Sequence, residues 1–600
     1  MSAPLPVLTD KSIAVLPFVN MSTEKDNEYF SDGITEEIIN ALTKVRNLKV
    51  TARTSSFAFK NKNLDIREIA RTLNVATILE GSVRKAGKQL RITAQLILAE
   101  NGFHLWSHTF DRQLEDIFVL QDEISLLIVE QIRQNFGHLE LQERLVEAPT
   151  HHLKAYNFYL KARYHQLKWN SKDLERAAKL YHKCVLLDET YALAYFGLVQ
   201  VYGILASWNF MSREEGFQKA QYYLQKGLAL NDSSAEAHYS LATAHFWGFW
   251  RFEDGYKQLQ KVLSLKPSSD EAHEGLAELY TALGDFERAM HHAEAALQLN
   301  PLSPNHWFTK GNIYYHSGRF PEAYTTMDKV LDLDTNWSLA LQLKALCYTL
   351  LKDKAQLLSL LQTKANMLNA PHHLHLYELM HEDKANEFND LQETNTYLPM
   401  KLYFQLYGGS EKEALKTLKL GISNREGQYI NFKSDPLLKK LHRLPEFQAL
   451  VSQTFASTQL IVHKKGCRQQ DTPKMSADEV QRYIAALERL LKDEKPYLDA
   501  TLTLKALAER IQLHPNKLSW LLNEHLHQNF NELINSYRLQ AFKAKAVDSA
   551  NAHLTLLGMA YESGFNSKTV FNAYFKKICG LTPKAWLKQE IEGSTPKQDL

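Results

Sequence analysis

Six hundred residues are too many for one hydrophobic core and indicate roughly three to five domains, while 44% hydrophobic and 23% charged residues exclude a disordered or fibrous chain. The formal net charge is only +2, and the four cysteines (Cys184, Cys347, Cys467 and Cys579) lie too far apart in sequence for a disulfide framework or a CxxC zinc site, which fits a reducing cytoplasm. Met1–Pro6 has no basic region followed by an apolar stretch, and no apolar run is long enough to span a bilayer, so a soluble intracellular protein without signal peptide or membrane span is expected.

The first segment, residues 11–137, alternates strand-like and helical patterns. Ile13–Phe18 is a short β-type run ending at a proline, and Asp32–Glu37 opens a helix through Leu42 with acidic residues in its first turn. Leu48–Ala52 is strand-like and Ile66–Leu73 helical. Ala76–Arg84 and Gln89–Ala99 form a hairpin around Ala86-Gly87, and a helix over Leu120–Ile132 closes an α/β unit. Asp32, Glu36, Arg53, Ser55 and Ser56 make a polar set without nucleophile–base–orienter spacing, and a structural role is expected for them. Ile13–Phe18, Phe30–Glu36, Ala52–Phe57, Leu79–Arg84 and Leu120–Ile124 are similar to the TolB-like domain found ahead of tetratricopeptide arrays in many bacterial regulators and in some adenylate cyclases. That resemblance implies a fold more than a task.

From residue 152 to 456 the chain is helical and repetitive. Pro267 and Pro301, Gly284 and Gly318, Phe252, Phe286 and Phe320, and Leu265, Leu299 and Leu333 all recur at a step of 34 residues. With Ala289 and Ala323 in the second helix, this is the tetratricopeptide signature. A helix pair cannot bury its apolar face alone, so neighbours stack into a superhelix with a concave groove. Earlier repeats fall at Ala155–Asp188 and Tyr191–Ser233, the second with a longer loop (Trp208–Ser212). Later pairs at Trp337–Thr363 and Phe404–Ser423 have poor consensus, and Asp435–Leu450 reads as a cap. The resemblance implies a protein or peptide partner in the groove. Trp247, Phe249, Trp250 and Trp307 are read as inter-helix packing, with peptide anchoring as the alternative. His372, His373, His375 and His381 with Glu378, and likewise His291-His292, are read as a solvated face or loop, so no metal site is assigned.

Residues 457–475 are polar, contain Gly and Pro, and are expected to be a flexible linker. Ser476 then caps an amphipathic helix whose apolar side is Val480, Ile484, Leu487, Leu490 and Leu491; packing on the following unit and dimerisation are both open. From Leu502 to Lys588 the pattern gives two helix-turn-helix units joined by a long helix. Leu504, Leu507, Ala508 and Ile511 form the first stripe, and His514-Pro515 breaks it. Leu518, Leu521 and Leu522 resume the stripe, which leaves Asn516, Lys517, Ser519, Trp520 and Asn523 facing outward. In the second unit Leu556, Met559 and Ala560, a turn at Gly564, and Phe571 with Phe575 repeat the plan, with Lys568, Thr569, Asn572 and Ala573 outward.

Leu504, Ala508, Leu518, Arg538, Gly564–Ser567, Phe571, Phe575–Lys577 and Gly580–Pro583 resemble the DNA-binding domain of the bacterial AraC/XylS-type transcription regulators. The resemblance implies that each second helix enters a major groove of double-stranded DNA. It offers Asn516, Ser519 and Trp520, and then Lys568, Thr569, Asn572 and Ala573, as base readers. Lys517, Asn523, Arg538, Lys576 and Lys577 complete the DNA-binding set. Trp520 and Ala573 stand where the family often has arginine, His527 where it usually has glycine, and Phe542 where it usually has alanine, so a base preference does not carry over. From Thr501 to Glu590 eleven Lys or Arg face six Asp or Glu, a local excess suited to phosphate contacts.

The sequence thus predicts a multidomain, mainly α protein: an N-terminal TolB-like α/β domain (11–137), an α-solenoid of tetratricopeptide repeats (152–456), a linker (457–475) and a C-terminal all-α double helix-turn-helix domain (476–592). The function expected is a cytoplasmic, sequence-specific transcription regulator that binds DNA, senses a ligand or protein partner, needs no cofactor, and leaves homodimerisation open. The alternative is a protein-interaction scaffold with a vestigial DNA-binding domain. No residue constellation points to an enzyme.

Overall fold

The computed structural model describes residues 11–22, 28–166, 171–207, 210–364, 367–382, 398–458 and 475–593. The expected linker falls almost wholly outside these residues, as does Cys467, and the loop at 208–212 falls partly outside. The chain forms two compact units. Of the described residues, one comprises those within 12–123 and 145–458, and the other residue 11 with 124–144 and 475–593.

The first unit opens with a six-stranded mixed sheet. β1 (Ser12–Val15), β2 (Val19–Asn20), β3 (Lys49–Val50), β4 (Thr77–Ala86), β5 (Gln89–Leu98) and β6 (His104–Gln113) are ordered β3-β1-β4-β5-β6, with β2 also on β4. β1 is parallel to β3 and β4, while β4, β5 and β6 run antiparallel. Along β5 buried and exposed side chains alternate, the two-residue period of a strand with one covered face. β6 was not expected, because only Phe110 among its ten residues is buried and no apolar alternation marks it. The first helix begins at Glu28, earlier than expected, which places Asp32 and Glu36 inside the helix, where they are buried. Asp32 accepts from Lys60 at 2.6 and 2.8 Å.

Helical pairs follow: Leu153–Gln166 with Ser171–Leu187, Ala192–Ser207 with Arg213–Leu230, and Ala235–Thr243 with Phe252–Leu265. Then come Asp270–Leu283 with Phe286–Leu299, Pro304–His316 with Phe320–Leu333, and Ser338–Leu350 with Lys354–Thr363. Ala370–His381, Met400–Tyr407, Glu411–Ser423, a 3-10 stretch at Pro436–Arg443 and Pro445–Thr454 end the array. Ala272, Leu276, Ala289, Ala293, Ala323 and Met327 share one core, as stacked pairs require. The helix that starts at Ala235 finishes in a π turn over Ala244–Gly248. The backbone turns left-handed at Trp250, Gly284, Gly318 and Lys352, spaced at the repeat step although only two of the four are glycine. Trp250 is buried in the shared core, Trp247 packs against it and donates its ring N–H to Glu278 at 2.7 Å, and Phe249 is exposed. His372, His373 and His375 are buried, and that burial lowers the pKa of each, which corrects the solvated reading. His372 and His375 lie edge-on to Phe404, and the His381 ring contacts Thr349 O.

A polar seam joins the sheet domain to the array within this unit. Arg163 donates through Nε to Glu36 Oε1 at 2.9 Å, and Arg53 Nε lies 3.2 Å from Oε2 of the same carboxylate. Ser55 Oγ donates to Asn300 Oδ1 at 2.6 Å and accepts from Leu302 N at 2.9 Å. Ser268 Oγ donates to Leu48 O at 2.7 Å. Glu36, Arg53 and Ser55 of the polar set noted in the sequence therefore sit on this seam, while Asp32 pairs with Lys60, and Glu36 lies buried between two guanidinium groups.

Candidate nucleic-acid interface

The second unit is built on two small cores. Ala477–Asp493 starts with a reciprocal cap in which Ser476 Oγ accepts from Glu479 N and the Glu479 carboxylate accepts from Ser476 N. Its Val480, Leu487, Leu490 and Leu491 bury against Leu504, Leu507, Leu518, Leu521 and Leu522, so this helix packs on the first helix-turn-helix. That motif comprises Leu504–Arg510, a left-handed Gln512, and Pro515–Glu524. His514 does more than end the earlier helix: its Nδ1 accepts from Asn516 N at 3.2 Å and caps the next, with Pro515 at the position where a missing N–H is harmless. His527, at φ +52, adopts the left-handed turn that glycine would otherwise serve.

The linking helix, Phe530–Val547, is capped by Asn529 and Glu532. Phe542, fully buried, meets Phe571 and Phe575 edge-to-face at ring distances of 4.7 and 5.6 Å, so the bulk at this position fills the second core. Leu556–Glu562 and Lys568–Cys579 form the second helix-turn-helix, with Ser567 capping and Gly580 left-handed at the end. Between them Gly564 has φ +94, and a Cβ there would lie 2.1 Å from Tyr497 O, so only glycine fits this turn.

With Phe571 and Phe575 rooted, the second recognition helix presents Lys568, Thr569, Asn572, Ala573, Lys576 and Lys577, all exposed. Lys577 Nζ is 3.7 Å from Glu532, a surface pair of small energetic weight. The first recognition helix differs. Lys517 is exposed and Trp520 half-buried, with its ring edge-on to His525 at 5.0 Å. Ser519, expected to face outward, is 2% exposed, and at three residues from Asn516 and four from Asn523 it lies on the helix face those two share. Arg538, expected among the DNA-contacting residues, points inward instead. Its Nε and Nη2 each donate at 2.8 Å, to Tyr497 O and Asp499 O, and burial, only partly offset by Asp499, lowers its pKa to about 10. It ties the connecting segment to the linking helix.

Asn516 has partners that sequence reasoning missed. Arg133 Nη1 donates to its Oδ1 at 2.7 Å and Leu141 N to the same oxygen at 3.1 Å, while its Nδ2 donates to Leu141 O at 2.9 Å. Asn529 Nδ2 donates to Asn135 O, and Asn531 Nδ2 to Asn135 Oδ1, both at 2.9 Å. Asn523 Nδ2 donates to Ser519 O at 2.8 Å, and a Cβ on Gly137 would come within 2.4 Å of Asn523 Oδ1. The segment Arg133–Leu141 belongs to this same unit, at the end of the helix Ile117–Phe136 and just beyond it. These contacts span several hundred residues, so no local pattern announces them.

Three family models match parts of the chain. A helix-turn-helix domain model, of the AraC type, matches residues 507–589, the second domain of HilA/YgeH-like transcriptional regulators matches residues 9–127, and a tetratricopeptide repeat matches residues 281–347. The matched description for the N-terminal segment is thus a HilA-like regulator domain, where the sequence motifs suggested a TolB-like one. Among curated proteins, the chain is 39% identical over 247 residues to "Putative adenylate cyclase 3" of Rhizobium meliloti, a stretch covering 41% of this chain and 42% of that relative. The chain therefore spans about two fifths of the length of the curated relative it matches. Among solved structures, the Pseudomonas aeruginosa pilF protein is 18% identical, with 36% of this chain and 92% of that one covered at a TM-score of 0.28. The human IFIT1 dimer is 15% identical, with 70% and 78% covered at 0.32. The sequence reading excluded an enzyme; the match to a protein bearing a cyclase name overturns that exclusion. Among the described residues no helix is long and apolar enough to cross a membrane.

Proposed function

We propose that this protein is a sequence-specific, DNA-binding transcription regulator in which the C-terminal unit reads duplex DNA and the N-terminal regions receive a signal. The presence of an AraC-type helix-turn-helix domain together with a HilA-like regulator domain supports the regulator reading. The observation that carries the DNA contact is the second recognition helix: an apolar root at Phe571 and Phe575, and an outward row of Lys568, Thr569, Asn572, Ala573, Lys576 and Lys577. Lys576 and Lys577 suit phosphates, Lys568 suits a guanine edge, and Asn572 suits a purine edge, since its amide both donates and accepts. Asn516, Lys517, Trp520 and Asn523 are proposed as the corresponding group in the first unit.

The tetratricopeptide repeats support a protein or peptide partner as the source of the signal. The domain boundaries proposed are 11–137, 152–456, 457–475 and 476–592, with the first segment TolB-like in fold, and a cytoplasmic location follows from the proposed contact with DNA. The test is selection of duplexes from a random pool by the full chain at fixed, near-physiological salt. Enrichment of one motif is expected. Asn572→Ala should then weaken binding by about 1–3 kcal/mol and relax one position of the motif, whereas Lys576→Ala should weaken all sequences alike and lower the salt slope by about one. No enriched motif, with weak binding that vanishes as salt rises, would refute the proposal.

A further inference from the structure

We infer that the segment Arg133–Leu141 is a built-in competitor for the first recognition helix, so that DNA reaches that helix only when the segment is displaced; this rests on the DNA-reading proposal above. A bidentate contact to adenine needs the Asn516 amide to accept through Oδ1 and donate through Nδ2. Both lone pairs of that oxygen are already engaged, by Arg133 Nη1 and Leu141 N, and Nδ2 is engaged by Leu141 O. Asn523 lies seven residues on, on the same face of the helix, and Gly137 sits against it so closely that a Cβ there would come within 2.4 Å of its Oδ1.

The segment is also held at its flanks. Asn135 is pinned by Asn529 and Asn531, at the start of the linking helix, and Lys11 Nζ donates to His138 O at 2.7 Å. Arg133 is itself fixed by an ion pair with Glu130, with its side chain 2% exposed. Among the described residues the second recognition helix carries no such cover, and its outward row is exposed. The two helix-turn-helix units are therefore unequal: the second meets a duplex as it stands, and the first is occupied.

The experiment compares the full chain with its Arg133→Lys/Asn135→Ala variant on the selected duplex, by affinity and by footprint. Lysine keeps a charge for Glu130 but cannot fork to Asn516 as arginine does. Asn135→Ala alone, which loses the contact to Asn531 and the donation from Asn135 Nδ2 to Gln131 O but keeps Arg133, guards against misfolding of the double variant. The wild type is expected to protect one major-groove segment. The double variant should protect two, about one helical turn apart, and bind roughly tenfold more tightly, with the single variant in between. Equal affinity and two protected segments for wild type and variants alike would overturn the competitor while leaving the DNA reading intact. Absence of sequence-specific binding by every form would overturn the DNA reading, and the competitor with it.

Discussion

Replacing Glu36 with glutamine removes the single negative charge between Arg53 and Arg163 while keeping the shape of the side chain. Glu36 is 6% exposed, with Arg163 Nε at 2.9 Å from one oxygen and Arg53 Nε at 3.2 Å from the other. Removing one partner of a buried pair costs about 3–5 kcal/mol, because the remaining charge is left without compensation. The arginine side chains are 21% and 23% exposed and retain some water, which places the cost near the lower end, at about 3 kcal/mol. That corresponds to a roughly hundredfold rise in local opening. Hydrogen exchange on the full chain reads this locally: amides of Glu28–Leu42 should lose about two decades of protection, while those of Phe530–Val547 do not change. Burial would raise the Glu36 pKa, but the two arginines overcome it and hold the carboxyl below the usual value. Its contribution is therefore present above the unfolded pKa of 4.5 and is lost as pH falls through the lower folded value, so the wild type and the variant should converge in acid. Unchanged protection in Glu28–Leu42 at neutral pH would refute the assignment of a binding energy to this seam.

Glu37 should behave in the opposite sense: burial and the neighbouring Glu36 charge raise its carboxyl to about 7, so stability declines as pH rises from 4.5 to 7. Glu37→Gln should then raise the melting temperature at pH 8 and leave it unchanged at pH 4, which thermal scans at the two pH values check. His306 sits 3.0 Å from both Asp270 and Glu274; burial opposes its charge, yet the carboxylates lift it to about 10. That stabilisation is complete below pH 6.5 and lost as pH rises through about 10. His306→Ala should cost about 3 kcal/mol at neutral pH, with the gap to the wild type closing at high pH in urea titrations. Gly564→Ala must place a methyl group 2.1 Å from Tyr497 O at a left-handed φ, and should cost at least about 2 kcal/mol, visible as lost amide protection in Phe530–Val547.

The helices were legible wherever a face repeats. The 34-residue step located the repeat pairs, and the stripes Leu504–Leu507–Ala508 and Leu518–Leu521–Leu522 located the first helix-turn-helix core. What escaped has physical causes. β6 carries too few apolar residues to show a period. The helix at Glu28 starts before its apolar pattern does, so Asp32 looked like a first-turn residue when it is a buried partner of Lys60. Ser519 shares a helix face with Asn516 and Asn523, and its burial on that face had no signal in the local pattern. Arg538 looked like a phosphate ligand because its type suits phosphate; its inward course depends on carbonyls of Tyr497 and Asp499 that only the fold brings near. The occupation of Asn516 by Arg133 and Leu141 left no trace in any local window, since the partners are separated by 383 and 375 residues.

The left-handed positions at Trp250, Gly284, Gly318 and Lys352 show which property of the repeat is the more persistent. The backbone path recurs at all four, whether or not glycine stands there to favour it. A bulky residue in that conformation carries a penalty of about 1–2 kcal/mol, which neighbouring packing must absorb, as the buried Trp250 ring does. Lys352 is exposed, and its carbonyl accepts from Tyr377 Oη. Lys352→Gly, which removes the left-handed penalty, is thus a route to a sturdier array, at the margin where the consensus fades and the geometry persists.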